Sequence, residues 1–378
     1  MKTAEHARKP VGVGIIGANP DHGWAATAHI PALGVLPDFA LRAVSTTRRE
    51  SADAAAKAFG ADHAFDHHGD LVGCPDVDLV VVTVKVPHHL ELVSAALRAG
   101  KAVYCEWPLG ANLDEAEAMD SLASQAGVPT MIGLQARSAP AVGYVRDRIA
   151  DGWLGEVLST TMVGTSMPGT VVPKAHAYLA DPANGATALT IAGGHSLDVL
   201  CHCLGEFDEL SSFTDTRLPV LKIKETGESW PKTAPDQVAV IGRLGSGVTA
   251  SAHFREGLTG HSSFLWEING TEGTVQVTAR HSHPGIYPLT VTVSRAGETS
   301  GTPVDIPSSY GVPAEAVAVV NTLGHSPAAN IARSYARLAG DLREGTRTVP
   351  TFADALVRHR MISVVESSAR SGTRHRLR

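Results

Sequence analysis

The first third of the chain alternates short apolar runs with amphipathic stretches of helical period. The runs that predict strands lie at 11–16, 41–45, 79–84, 102–105 and 130–132. The stretches that predict helices lie at 25–36, 49–59, 88–99 and 113–126. Glycine closes the last three helices, at Gly60, Gly100 and Gly127, where a left-handed residue is commonly needed. This alternation is typical of an α/β domain built on a doubly wound parallel sheet.

Beyond Arg137 the pattern changes to longer runs in which apolar and polar residues alternate. These runs lie at 157–163, 237–244, 249–254, 263–269, 274–278 and 289–294. They predict an α+β unit with a large open, mostly antiparallel sheet. Helices are predicted at 141–151, about 194–204, 326–345 and 352–371, followed by a basic tail at 374–378 that we expect to be frayed and solvated. We therefore predict a dinucleotide-binding Rossmann domain at 1–137 and a substrate-binding and oligomerisation domain at 138–378.

Composition narrows the function classes without choosing one. The 378 residues fit two domains, and 43% hydrophobic with 19% charged residues is ordinary for a packed protein. The net charge of −6, with no basic stripe, argues against nucleic-acid and anionic-membrane partners. The four cysteines lack paired spacing, and no signal-peptide region or membrane-length apolar run is present in the sequence. We expect reduced thiols and a cytoplasmic protein.

The turn after the first strand is the candidate phosphate-binding loop. A literal Gly-x-Gly-x-x-Gly occurs at Gly12, Gly14 and Gly17, but the first two glycines fall inside the strand. The turn itself runs from Gly17 to Trp24, and the helix after it would point backbone N–H groups at a pyrophosphate. The residues expected to contact the dinucleotide here are Gly17, Asn19, Gly23 and Trp24. The alternative is an ordinary strand-to-helix turn.

The end of the second strand predicts the cofactor preference. A carboxylate at this place would bind the ribose 2′-hydroxyl of NAD, but the sequence reads Ser45-Thr46-Thr47-Arg48-Arg49. Hydroxyls and guanidinium groups suit a 2′-phosphate, so Ser45, Thr46 and Arg48 predict NADP, with NAD as the second choice. The alternative is that the two arginines are only solvated residues of the next helix.

Three polar residues share one face of the helix predicted at 194–204. His195, Asp198 and His202 are spaced by three and four residues. A carboxylate beside an imidazole raises its basicity, which suits removal of an alcohol proton. The alternative is a hydrogen-bonded pair that supports a buried helix. A fourth ligand for a metal ion is not evident, so no metal site is predicted.

Several motifs, in the right order, resemble one known family. They are Tyr104-Cys105-Glu106-Trp107-Pro108-Leu109, the strand at 77–88, Ala99-Gly100-Lys101, Gln135-Ala136-Arg137, the run at 152–157, the run at 193–202, Ile268-Asn269-Gly270 and Thr351-Phe352-Ala353. The chain is identified as a member of the glucose-fructose oxidoreductase / inositol dehydrogenase (Gfo/Idh/MocA) family. The resemblance implies hydride transfer between a nicotinamide and a sugar-like or cyclitol substrate.

The resemblance also assigns candidate site residues. It implies cofactor contacts at Val84, Lys85, His88, Glu106, Trp107, Pro108 and Gln135. It implies substrate contacts at Trp107, Arg137, His195, Asp198 and His202. His202 would be the base and Asp198 its substrate-positioning partner.

Trp107 departs from the family pattern, because it stands where the family's Glu-Lys-Pro has the lysine that moves the substrate proton. An indole cannot carry that proton. Lys85, at the carboxyl edge of the sheet, could supply the missing ammonium if burial near the nicotinamide lowered its pKa; the alternative is a salt-bridged or solvent-reaching lysine. Trp107 could stack on a sugar or nicotinamide ring, or simply fill the domain junction.

Position 107, Lys85 and the loop at 17–24 look closest to a branch that includes the fungal galactose-pathway repressor. This similarity keeps two further functions open beside the oxidoreductase. One is a non-catalytic, dinucleotide-sensing regulator, and the other is a redox-neutral lyase or glycosidase with a retained cofactor. We also expect a homodimer or homotetramer through the second sheet, because an exposed broad sheet would be adhesive.

Overall fold

The first sheet is fully parallel and has a reversal of strand order at its centre. The computed structural model describes residues 9–166, 169–257 and 263–377. The strands of this sheet are β1 (Val11–Ile16), β2 (Phe39–Ser45), β3 (His63–Phe65), β4 (Leu79–Val82), β5 (Ala102–Cys105) and β6 (Thr130–Ile132). Their order is β3-β2-β1-β4-β5-β6. The predicted Rossmann sheet is confirmed, and its order reverses between β1 and β4, where such folds bind ligands.

The helices of this half mostly begin and end where the sequence predicts. They are α1 (Ile30–Gly34), α2 (Arg49–Phe59), α3 (His68–Gly73), α4 (His89–Arg98) and α5 (Leu113–Ala126). Gly60 and Gly127 end α2 and α5 with φ of 72° and 66°, a conformation that glycine adopts without steric cost. The single helix predicted at 25–36 is instead a π-helical turn, Ala25–His29, followed by α1. Pro31 in the first turn of α1 has no N–H to continue the ladder.

The later strands form two further sheets. They are β7 (Val157–Thr165), β8 (Val171–Val172), β9 (Phe207–Asp215), β10 (Val220–Ile223), β11 (Ser229–Pro231), β12 (Gln237–Leu244), β13 (Thr249–Arg255), β14 (Phe264–Gly270), β15 (Gly273–Ala279), β16 (Thr290–Arg295), β17 (Thr302–Pro303) and β18 (His375–Arg376). The large sheet has the order β17-β16-β15-β14-β7-β13-β12-β9-β18. Within the described ranges of this sheet, only β7 and β13 pair in parallel. The predicted large, mostly antiparallel sheet is confirmed. Strands β8, β10 and β11 form a small separate sheet.

Five further helices follow β6 in the chain. They are α6 (Pro140–Ala150), α7 (Gly194–Leu204), α8 (Val317–Asn321), α9 (Ala328–Glu344) and α10 (Phe352–Ser371). A capping box between Thr351 and Asp354 begins α10. Helix α9 returns to the first sheet, where its buried residues share one apolar cluster with β1. The predicted domain boundary at residue 137 therefore stays a prediction.

Residues 374–377 of the basic tail are not frayed, contrary to that part of the expectation, although Arg374 and Arg376 are exposed to solvent as expected. Strand β18 pairs with β9 at the edge of the large sheet, and Arg374 binds Glu209 at 3.3 Å. Opposite charges on the tail and on β9 hold it there. Strand β9 itself was missed from the sequence because charged and hydroxyl residues interrupt its apolar alternation.

One face of the large sheet is covered and the other is open. Val238 and Val240 on β12 are buried, whereas Phe213 on β9 is 65% exposed and Ile241 on β12 is 57% exposed. The four cysteines are buried and unpaired. Among the residues that the structure describes, no helix is both long and apolar enough to cross a bilayer.

Candidate functional site

A cleft of about 510 Å³ opens at the carboxyl ends of β1, β2 and β4. Seven of the residues predicted to bind a dinucleotide line it: Gly17, Asn19, Ser45, Thr46, Arg48, Val84 and His88. The structure therefore brings together the loop after β1, the end of β2 and the turn before α4. A cleft at this point of a doubly wound sheet is where a dinucleotide binds.

Gly17 is the glycine of the loop that the fold requires. Its φ is 94°, and a Cβ there would lie 2.7 Å from Val84 Cγ1. Gly12 and Gly14 serve packing instead, since a Cβ at Gly12 would lie 1.9 Å from the Asp76 carbonyl oxygen and neither residue lines the cleft. The literal Gly-x-Gly-x-x-Gly motif is thus misleading, as its position in the strand indicates.

Gly23 and Trp24, also predicted to contact the dinucleotide, lie outside the cleft lining. Gly23 has a φ of 102° with open space around it, and Trp24 packs beside the apolar cluster of β1. The turn between Asn19 and Gly23 is shaped locally, because the Asp21 N–H donates to Asn19 Oδ1 at 2.9 Å. The helix that follows begins as a π-helical turn rather than a regular α-helical N-terminus.

The two arginines after β2 have different surroundings. Arg48 lines the cleft, whereas Arg49 binds both oxygens of Asp53 at 2.7 and 3.0 Å on the outside of α2. Sequence reasoning missed Asp66, His67, His68 and Glu91, which also line the cleft. The first three follow β3, a strand too short to be recognised from its pattern.

The Glu106 carboxylate is bound by His29, a histidine that the sequence did not single out. His29 Nε2 lies 2.9 Å from Glu106 Oε1, and His29 Nδ1 lies 2.8 Å from the Tyr335 hydroxyl. Burial raises the pKa of Tyr335 well above its ordinary value, and the Glu106 charge adds to this. Tyr335 lies on α9, so the returning helix fixes the end of β5 through His29.

Trp107 is a buried wedge between β5 and α7. It is 5% exposed, its Nε1 donates to the Thr190 carbonyl at 2.7 Å, and its ring centre lies 4.9 Å from that of His359. The peptide bond to Pro108 is cis. A Cβ on Gly194 would lie 2.8 Å from Trp107 Nε1, so the first residue of α7 packs directly on the indole. This geometry favours the interpretation in which Trp107 fills the domain junction over the one in which it stacks on a sugar or nicotinamide ring.

The expected pair of Asp198 and His202 is wrong. Asp198 accepts from Arg137 Nε and Nη2 at 2.9 and 2.7 Å, and Arg358 Nε lies 3.5 Å from it. His202 Nε2 instead lies 3.2 Å from Arg146 Nη1. Burial, and then the charge of Arg137, lowers the pKa of His202 to about 4. Burial and the neighbouring guanidinium groups outweigh the charge of Asp198, which raises the pKa of His202, so the imidazole becomes less basic rather than more.

Arg137, predicted to contact substrate, forms ion pairs with two carboxylates. Besides Asp198 it donates to Asp354 at 2.8 Å, at the beginning of α10. Burial would lower its pKa, but the two carboxylates raise it overall. Arg137 therefore joins the segment after β6 to α7 and α10.

His195 lies at the other end of α7, beside the Glu106-Trp107-Pro108 segment. It follows Gly194, which contacts Trp107, and its ring centre is 3.8 Å from that of His283. Burial lowers the pKa of His195 to about 3. Of the two histidines predicted on α7, His195 is therefore the one next to the glycine that packs on Trp107. His283 was missed, because its loop after β15 has no motif.

Lys85 and Gln135 complete the predicted set. Lys85 is exposed, with Nζ 4.5 Å from the centre of the Tyr178 ring, so the alternative of a solvent-reaching lysine describes it here. Its side chain leaves the turn before α4 and lies over an aromatic face from the segment Lys174–Ala180. Gln135 is buried, and its Oε1 has no hydrogen-bond partner among the described residues.

The fold and the cleft define a Rossmann-type nucleotide-binding protein with a second, sheet-based unit. Residues 11–134 match the oxidoreductase family with an NAD-binding Rossmann fold, and residues 140–279 match the C-terminal domain of Gal80p. Dehydrogenase aclE of Aspergillus oryzae is 33% identical over 384 residues, covering 96% of this chain and 97% of that protein. The chain belongs to the Gfo/Idh/MocA oxidoreductase family, in a branch that resembles Gal80.

Relatives of both functional kinds are similar over most of the chain. The galactose/lactose metabolism regulatory protein GAL80 of Saccharomyces cerevisiae is 25% identical, covering 96% of this chain and 94% of that protein. A super-repressor mutant of Gal80p from the same yeast superimposes with a TM-score of 0.86 at 24% identity, covering 97% and 98% of the two chains. Levoglucosan dehydrogenase in complex with NADH and levoglucosan gives 0.82 at 21% identity, covering 97% and 99%. The two structural likenesses show the shared fold.

Proposed function

We propose that the protein is an NAD(P)-dependent oxidoreductase that moves hydride between nicotinamide and a hydroxyl or keto group of a sugar-like substrate. The observation that carries this proposal is the cleft at the carboxyl ends of β1, β2 and β4, which is lined by seven of the residues predicted to bind a dinucleotide. Family membership and the aclE and levoglucosan dehydrogenase relatives support it. The cleft, with a volume of about 510 Å³ and both polar and apolar residues in its lining, suits a dinucleotide.

Oxidation of an alcohol releases a proton as well as a hydride, and a side chain must accept that proton. We assign this role to His195 in place of His202, because His202 lies beside Arg146 on α6. Burial lowers the pKa of both histidines, that of His195 to about 3 and that of His202 to about 4, so the assignment rests on position and not on basicity. Lys85 is the second candidate proton carrier, held at the carboxyl edge of β4 by Tyr178. Asp198 becomes a structural anchor for Arg137.

We further propose that NADP is preferred over NAD. Arg48 faces the cleft with Ser45 and Thr46, while Arg49 is neutralised by Asp53. One guanidinium beside two hydroxyls suits a 2′-phosphate. The relatives crystallised with NADH keep NAD as the alternative.

A dinucleotide-sensing regulator is the second candidate function. Trp107 favours it, because an indole whose N–H is bound to Thr190 fills the place of the family's usual lysine. The similarity to GAL80 supports the same function. In that case the dinucleotide would bind without turnover, and a protein partner would read the bound state.

The testing experiment starts from the purified protein. Released nucleotide is identified by mass spectrometry after denaturation, and the emptied protein is titrated with NADPH and NADH by fluorescence. Hydride transfer is then followed with sugars and polyols for wild type, His195→Asn and His202→Asn. The proposal predicts that His195→Asn loses turnover and His202→Asn keeps most of it. Tight nucleotide binding with no turnover of any polyol would support the regulator, and no nucleotide binding would exclude both functions.

We also infer a cytoplasmic homodimer or homotetramer that uses the open face of the large sheet. Phe213 and Ile241 lie on neighbouring strands of that face and are both mostly exposed. Light scattering should give more than one subunit for wild type and a smaller assembly for Phe213→Glu. A wild-type monomer would contradict the inference.

A further inference from the structure

Two histidines, the buried His195 and the half-buried His283, face each other where the loop after β15 meets the start of α7. His195 and His283 have ring centres 3.8 Å apart with the planes tilted by 39°. The Nδ1 atoms of both rings are buried without a hydrogen-bond partner among the described residues. Ser282 Oγ and Gln135 Oε1 are also buried without a hydrogen-bond partner among the described residues. Gln135 lies next to the same loop, because a Cβ on Gly285 would be 2.9 Å from Gln135 Cγ. Four buried, unpartnered polar atoms thus come from three adjoining segments.

The loop that carries His283 is fixed on both sides. The Ser282 N–H donates to the Thr165 carbonyl at 3.2 Å, and its own carbonyl accepts from Ser196 Oγ at 2.8 Å. The Gly285 carbonyl accepts from Asn330 Nδ2 at 2.9 Å. These contacts join the loop to β7, α7 and α9. These contacts position His283 against His195, while His283 Nδ1 has no hydrogen-bond partner among the described residues.

We propose that His283, with Ser282 and Gln135, forms a subsite for the hydroxyl groups of an uncharged polyol whose reacting carbon lies next to His195. This inference rests on the proposed function and names the charge class of its substrate. A buried polar atom without a partner costs about 1–3 kcal/mol, so a bound ligand that pairs several such atoms recovers that cost. Buried polar atoms in a packed core usually have hydrogen-bond partners, so a group of such atoms without partners is more typical of a binding surface.

The chemistry of the subsite selects the ligand. A hydroxyl group both donates and accepts, so it can pair with either ring nitrogen of a neutral imidazole and with an amide oxygen. Burial keeps both histidines uncharged near neutral pH. The two guanidinium groups nearest in sequence are Arg280, which is exposed, and Arg137, which is already bound by Asp198 and Asp354. A phosphate or carboxylate would therefore find neither of these two guanidinium groups both buried and free, and it would lose its hydration without compensation.

The test measures ligand binding separately from turnover. Calorimetry on protein saturated with its nucleotide uses three uncharged probes, levoglucosan, myo-inositol and D-glucose, and two charged ones, D-glucose 6-phosphate and D-gluconate. Wild type is compared with His283→Leu, His283→Asn and the matched control His281→Leu. His281 is on the same loop but stacks on Tyr287, at a ring distance of 5.1 Å. Nucleotide affinity and the thermal midpoint of each apo variant are measured alongside.

We expect at least one uncharged probe to bind, with its Kd raised at least tenfold in His283→Leu, partly restored in His283→Asn and unchanged in His281→Leu. Nucleotide affinity should not change, and the apo midpoint of His283→Leu should equal or exceed that of wild type, because an unpaired polar group is removed. The inference is overturned if no uncharged probe binds wild type, if a charged probe binds more tightly than D-glucose, or if His283→Leu only lowers the midpoint. Polyol binding that depends on His283 without hydride transfer would instead refute the oxidoreductase function alone.

Discussion

Asp198 binds Arg137 through both of its carboxylate oxygens, at 2.7 and 2.9 Å, and does not pair with His202. Both side chains of this ion pair are largely buried. Arg137 extends the pair to Asp354, and Arg358 adds a second guanidinium on the Asp198 side. A carboxylate enclosed in this way ties together α7, α10 and the segment after β6, and it is not free to work on a substrate proton.

Replacement of Asp198 should therefore appear in stability first. Asp198→Asn leaves Arg137 and Arg358 buried with one countercharge removed, and breaking a buried pair costs about 3–5 kcal/mol. Urea unfolding measures the change. The comparison is Asp354→Asn, whose side chain is 37% exposed and also caps α10, so it should cost less, about 1–2 kcal/mol. If Asp198→Asn unfolded like wild type but lost hydride transfer, the catalytic assignment of Asp198 would be restored.

Much of the fold could be predicted because its signals are local. Helices α2, α5, α7 and α10 span the predicted residues, since each combines apolar periodicity with a glycine that follows it. The cleft lining could be predicted for a similar reason: in a parallel sheet the residues after successive strands meet at one edge.

The partners of the site's charged groups could not be predicted in this way. Helical spacing puts Asp198 and His202 on one face, but Arg137 and Arg358, from distant parts of the chain, decide which of them is bound. The same holds for His283, whose loop meets α7 only in the folded protein. The local sequence pattern therefore predicts the helices and strands, whereas the partners of the charged side chains depend on long-range packing that this pattern does not show.

Gly17 can be tested against a glycine of the same loop. Gly17→Ala places a Cβ 2.7 Å from Val84 Cγ1 at a φ of 94°, so we expect about 1–3 kcal/mol of lost stability. Nucleotide affinity should fall as well, because Gly17 and Val84 both line the cleft. Gly23→Ala shares the positive φ but has open space, so it should cost less stability and leave affinity nearly unchanged. Equal nucleotide affinities in the two variants would contradict the assignment of the cleft.

Arg48 and Arg49 form a matched pair for the cofactor preference. We expect Arg48→Ala to weaken NADPH binding about tenfold to a hundredfold, the scale of one charge-assisted contact, and to leave NADH binding unchanged. Arg49→Ala should change neither affinity, since its guanidinium is held by Asp53 outside the cleft. Fluorescence titration of the emptied protein measures all four constants. The NADP preference would be refuted by NADPH affinity that survives in Arg48→Ala.

The role of Lys85 depends on its ammonium, and Tyr178 contributes only a ring. Lys85→Met should lower kcat at least tenfold, the lower end of what a proton carrier contributes, with nucleotide affinity unchanged. Tyr178→Phe keeps the aromatic face at 4.5 Å and should retain activity, whereas Tyr178→Ala should lower it. Steady-state kinetics with a polyol that turns over measures both sets. Unchanged turnover in Lys85→Met would remove Lys85 from the mechanism.

Buried neutral histidines should make the fold sensitive to acid, and His359 allows a clean test. Burial, and then the neighbouring His89, lowers the pKa of His359 from 6.5 to about 4. Between these values the unfolded chain binds a proton that the folded protein does not, so the free energy of unfolding is highest above pH 6.5 and falls as the pH falls toward 4.

His359 alone should lower the free energy of unfolding by about 2 kcal/mol between pH 7 and pH 4.5. His195 and His202 act in the same direction, with pKa values of about 3 and about 4, so the loss in wild type should be larger. His359→Gln keeps an acceptor for the Gly110 N–H and should reduce the pH dependence by that single contribution. The exposed His22→Gln should leave it unchanged. Urea unfolding at the two pH values measures the difference, and an identical loss in His359→Gln and wild type would mean that His359 can be protonated within the folded protein.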